Sequence, residues 1–107
     1  MPTDLQPGEV WFADLGIAEK SRPVVVLAAP SPDDARTLVV VAPLTSQIRS
    51  LRGEVPLGKL RWLPKVSAVN VQGLASFDPG KLTRRFGTLS TEHYSAVKTA
   101  LRDLLHL

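Results

Sequence analysis

The stretch SRPVVVL (21–27) puts Arg22 and Pro23 at the entrance of a wholly apolar run. Arginine keeps its charge at any accessible pH, and proline cannot donate to a sheet ladder. Read as structure alone, the pair opens a strand. Proline is accepted at that position, and it pushes the residue before it into an extended conformation. Thr45, read alone, is a strand-end hydroxyl that caps its own backbone. A second stretch with chemical potential is KLRWLPK (59–65), where Trp62 stands among Lys59, Arg61 and Lys65. A tryptophan so placed either stacks on a nucleobase while its neighbours hold phosphates or simply covers the rim of the core.

Other chemistries are poorly served. His93 and His106 fall in one C-terminal helical segment, 13 residues apart, too far to act as an acid–base pair within one chain. The absence of cysteine removes disulfides, a thiolate nucleophile and a cysteine-based zinc site. No carboxylate–histidine cluster has metal-ligand spacing, no glycine-rich phosphate loop occurs, and no cofactor is implied. Asp78 in FDPGK (77–81) reads as a turn residue.

The charge is unevenly spread. Residues 1–45 carry three basic against six acidic residues, whereas residues 46–107 carry ten against four. A basic half suits a polyanionic partner, nucleic acid first, although a solvated surface would show the same bias. At 107 residues the chain is expected to form a single domain over 1–107. It shows no basic-then-apolar leader and no membrane-length apolar run, so a cytoplasmic location is expected.

The elements that must position these residues follow from pattern. EVWFADL (9–15) reads as a first strand with Trp11 in the core. PVVVLAA (23–29) and TLVVVAPL (37–44) read as two buried strands joined by the proline- and aspartate-rich PSPDDAR (30–36), a hairpin. EVPLG (54–58) is a short edge strand and VSAVNVQGLAS (66–76) a long one, with Gly73 marking a bulge or a close backbone approach. LTRRFG (82–87) closes the strand series. Ser90 is a good N-cap, Glu92 suits the first turn, and Tyr94, Val97, Leu101 and Leu104 line one helical face. Short strands followed by one amphipathic helix predict a mainly β fold: a small curved barrel with a C-terminal helix packed on it.

Five blocks occur in order: GEVWFADL (8–15), SRPVVVL (21–27), VVVAPLTS (39–46), SAVNVQGLASFDPGKL (67–82) and GTLSTEHYSAVKTALRDLL (87–105). Together they resemble the MazF/PemK/Kid family of toxin–antitoxin endoribonucleases over nearly the whole chain. The resemblance implies an SH3-like β-barrel of the CcdB/MazF type, a homodimer, and metal-independent cleavage of single-stranded RNA. It also implies inhibition by an antitoxin whose disordered segment wraps the dimer.

By the same resemblance the catalytic pair is Arg22 and Thr45. Antiparallel pairing of the two apolar strands allows this, since one strand enters where the other leaves. RNA is cleaved when its 2′-hydroxyl attacks the adjacent phosphate in line, and the protein must stabilise the charge that builds on the phosphoryl oxygens. A guanidinium matches two such oxygens, and a threonine hydroxyl adds one donor. The expected RNA-binding residues are Glu19, Lys20, Ser46, Gln47, Arg49, Arg52, Trp62, Asn70 and Gln72.

The chain departs from its relatives in two places. Its first loop, GIAEKS (16–21), is short, so Glu19 matches a family acid in type but not in spacing. Gly73 stands where relatives place glutamine, with Gln72 one residue early. Two other readings share the fold: a CcdB-like binder that inhibits DNA gyrase without catalysis, and an inactive member that binds RNA or antitoxin only. The chain end DLLHL lacks the aromatic and small residues of the gyrase binders.

Overall fold

Alternation of valines into two separate cores shapes this molecule, a computed structural model that describes residues 4–16 and 21–107. The strands are β1 (Glu9–Ala13), β2 (Arg22–Ala28), β3 (Val39–Thr45), β4 (Glu54–Gly58), β5 (Ser67–Asn70), β6 (Ala75–Phe77) and β7 (Leu82–Thr88), followed by helix α1 (Thr91–Leu105). All pairings are antiparallel, in the order β4-β5-β3-β2-β1-β7, with β6 also on β3. Val24 and Val26 point into one core with Ala13, Val39, Val41 and Leu82. Val25 points into the other with Val10, Ala42, Leu44, Val69 and the helix residue Val97. A strand buried on both faces reads as a continuous apolar run, and that is what PVVVL encodes. Among the described residues β4 and β7 end the hydrogen-bonded path, so the sheet is an open one rather than a closed ring.

The helix begins where its chemistry requires. Ser90 Oγ accepts the His93 N–H at 3.1 Å, and His106 closes the other end in the left-handed region at φ 58°. Val97 is fully buried, while Tyr94, Ala100, Leu101 and Leu104 pack partly against the same core. Burying one such valine is worth about 1.5–3 kcal/mol. The helix lies on β4 and on the turn at 71–73.

Three expectations are corrected. The segment 66–76 is two strands, β5 and β6, separated by a 3₁₀ turn at Val71–Gly73. Asn70 Oδ1 accepts the Gln72 N–H at 3.1 Å and starts that turn, and Gly73 then passes hard against Pro43. The break lets β6 pair with the first half of β3 and β5 with its last two residues. The first strand stops at Ala13 because Asp14 turns the chain, its Oδ1 accepting the Gly16 N–H at 3.1 Å. Trp11 is only partly buried, since its indole N–H must reach Glu9 Oε1, 3.1 Å away.

Candidate active site at the β2–β3 strand ends

Arg22 is the first residue of β2 and Thr45 the last of β3. The β2–β3 ladder opens with Val24 facing Pro43, two residues inside Arg22 on one strand and Thr45 on the other. Arg22 faces Ala13 of β1, and Thr45 faces Ala68 of β5. Each of the two therefore stands opposite an alanine on its other neighbouring strand.

Both residues line a cavity of about 510 Å³, with Ser46 and Gln47 beside Thr45. Lys65 and Ser67 form another part of its wall, and Phe12 and Phe86 a third. Arg22 also borders a second, apolar cavity of about 300 Å³ beside Val24, Val41 and Pro43. Thr45 Oγ1 accepts the Gln47 N–H at 3.1 Å, which fixes the oxygen while its own O–H can still donate. The cap expected of a strand-end threonine is therefore present, and it orients the hydroxyl. Ser21 Oγ accepts the Leu15 N–H at 3.2 Å, tying the residue before Arg22 back to the end of β1. The described lining holds two cations, Arg22 and Lys65, and no carboxylate or histidine. A site of that composition attracts an anion.

The remaining residues expected to bind RNA are scattered. Glu19 and Lys20 lie outside the described residues. Arg49 and Ser50 are held through their backbone N–H groups by Glu54 Oε1, at 2.9 and 2.7 Å. Arg52 Nε pairs with Asp103 Oδ2 at 3.3 Å, on the helix side. Asn70 caps its turn, and Gln72 packs beside Gly53. Trp62 is partly buried against the helix-side core and lies over Gly87, where a β-carbon would collide with the indole. That is the rim-covering position.

Lys65 flanks the cavity where Trp62 does not, and Ser67, Phe12 and Phe86 were not anticipated there. Their signal is tertiary: Phe12 and Phe86 meet only because β1 pairs with β7. His93 and His106 sit at opposite ends of α1 and line neither cavity. Among the described residues no group of three or more His, Cys, Asp or Glu could hold a metal ion, and no helix is long and apolar enough to cross a membrane.

An antiparallel sheet with a C-terminal helix, and a strand-end cavity whose described lining includes Arg22 and Lys65, define a small β protein. Residues 6–105 match the PemK-like, MazF-like toxins of type II toxin–antitoxin systems, and the chain belongs to that family. It is 36% identical over 95 residues to the probable endoribonuclease MazF5 of Mycobacterium tuberculosis, covering 88% of this chain and 86% of that protein. Among solved structures it resembles the M. tuberculosis toxin MazF-mt6 with a TM-score of 0.77 and 28% identity, covering 95% of this chain and 98% of the other. An endoribonuclease in complex with its cognate antitoxin, from a mycobacterial species, shares the fold with a TM-score of 0.81 at 22% identity, over 96% of each chain.

Proposed function

We propose that the chain is the toxin of a type II toxin–antitoxin system and cuts single-stranded RNA at a phosphodiester held between Arg22 and Thr45. The observation that supports this is that Arg22, the first residue of β2, and Thr45, the last of β3, line one cavity. Membership of the toxin family and the endoribonuclease named at 36% identity support it.

In this reading the 2′-hydroxyl attacks the neighbouring phosphorus and the P–O5′ bond breaks. The 2′-hydroxyl gives up its proton and the departing 5′-oxygen gains one, leaving a 2′,3′-cyclic phosphate and a 5′-hydroxyl. Arg22 clamps two phosphoryl oxygens as negative charge accumulates. Thr45 donates one further hydrogen bond, and Lys65 meets an adjacent phosphate as a point charge. No step in this scheme needs a metal. Thr45 is not a covalent nucleophile in this scheme: the attacking group is the RNA's own 2′-hydroxyl, and the described walls hold no histidine or carboxylate to activate a threonine.

In the same reading the open sheet curls in the manner of an SH3-like fold within a single domain, and the protein acts as a symmetric homodimer in the cytoplasm, silenced by an antitoxin segment laid over the dimer. The test is incubation of the purified protein with a long transcript in EDTA, with the new ends mapped. Cyclic phosphate and 5′-hydroxyl ends at recurring sequences are expected; an intact transcript would contradict the reading.

A further inference from the structure

We propose that Phe86, with Phe12 set edge-on to it, is the wall on which a base of the bound strand stacks. The inference rests on the reading of the same cavity as an RNA site and names what grips the nucleotide beside the clamped phosphate.

The β1–β7 ladder slips at this point. Val10 faces Gly87 and the next residue, Trp11, faces Arg85, so Phe86 is an extra residue with no partner across the ladder. A bulge of this kind re-aims a side chain, and here the ring lines the cavity that holds Arg22 and Thr45. Phe86 is half-buried, packed on the helix-side core along part of its surface only. Phe12 meets it edge to face, with ring centroids 6.3 Å apart at 83°. The Arg84 guanidinium lies over one face of the Phe86 ring, its carbon 4.9 Å from the centroid, so a base would stack on the opposite face. An aromatic face, a nearby cation and a second cation at Lys65 are the parts of a single-strand binding platform: bases stack on the ring while the charges follow the backbone. The volume of about 510 Å³ is of the size that takes a small ligand.

The test uses binding alone. The probes are 12-mers of 2′-O-methyl A, U and C, which cannot be cleaved, and an abasic 12-mer with the same number of phosphates, read by fluorescence anisotropy. The wild-type protein should bind the base-bearing strands more tightly. F86L, which keeps the apolar bulk, should lose about tenfold toward them and nothing toward the abasic strand, since one stacked base is worth roughly five- to a hundredfold. F86W should retain the preference. Equal wild-type affinity for base-bearing and abasic strands overturns the proposal without any variant, as does an F86L loss that is the same on both. The nuclease reading fails separately: a wild-type protein that prefers bases but leaves RNA intact in EDTA keeps the stacking wall and loses the chemistry.

Discussion

A β-carbon on Gly73 would lie 2.5 Å from Cγ and 2.9 Å from Cδ of Pro43, closer than real side chains approach. Pro43 stands two residues before Thr45 in β3 and faces Val24, two residues after Arg22. The turn at 71–73 is thus wedged against the strand pair that carries both functional side chains. Any side chain at this position would need a different local path.

Gly73→Ala should therefore destabilise the fold by about 1–3 kcal/mol through overpacking and lower the cleavage rate more than it weakens RNA binding. Pro43→Ala removes the ring atoms that clash. The double variant should recover much of the loss in both thermal melting and single-turnover cleavage, whereas additive losses would show that the contact does not position Thr45.

Lys65 is the cation that the fold adds to the cavity. Lys65→Ala should weaken RNA binding broadly and reduce the slope of log affinity against log salt by about 0.7, as expected for one phosphate contact on a single strand. Reversal of Arg49 and Arg52 to glutamate should also weaken binding if the RNA path extends over the 46–53 loop. The Arg52–Asp103 pair is well exposed, with side-chain exposures of 57% and 70%, so its loss should cost no more than about 1 kcal/mol in melting.

Burial raises the pKa of the Tyr94 hydroxyl above its usual 10.0. A raised folded-state value contributes stability that is complete below the unfolded pKa and is lost as pH rises through the folded one. Thermal stability should fall above about pH 10, and Tyr94→Phe should flatten that fall. The variant should lose less than about 1 kcal/mol near neutrality, because the hydroxyl donates to the Leu27 carbonyl only at a long 3.5 Å. An unchanged alkaline profile would assign the dependence to other groups.

Local rules made much of the fold legible. Valine runs in 23–27 and 39–41 gave the hairpin, and Ser90 with the 94/97/101/104 spacing gave the helix, because caps and periodicity act over a few residues. Gly73 was readable as a close approach, though not against which partner. The split of 66–76 was hidden, since Asn70 ends β5 through a side-chain cap that no periodicity reports. The same limit applied to the cavity. Arg22 and Thr45 were singled out by the family resemblance, with strand entry and exit only permitting the pair, whereas Phe12, Phe86 and Ser67 are brought to the cavity by pairings distant in sequence.

The central claim is that Arg22 acts on the reacting phosphate, and the most direct measurement is the single-turnover cleavage rate of Arg22→Ala in EDTA beside its affinity for uncleavable RNA. The rate should fall about a hundred- to a thousandfold, as for loss of one donor to a developing oxyanion, with a much smaller change in binding. Arg22→Lys should recover little, since a point charge cannot reproduce two planar donors. Thr45→Val should fall similarly, and the double variant should be little worse than the worse single one, because groups acting as a unit are not additive. Wild-type cleavage by folded Arg22→Ala, free of contaminating nuclease, would contradict the account.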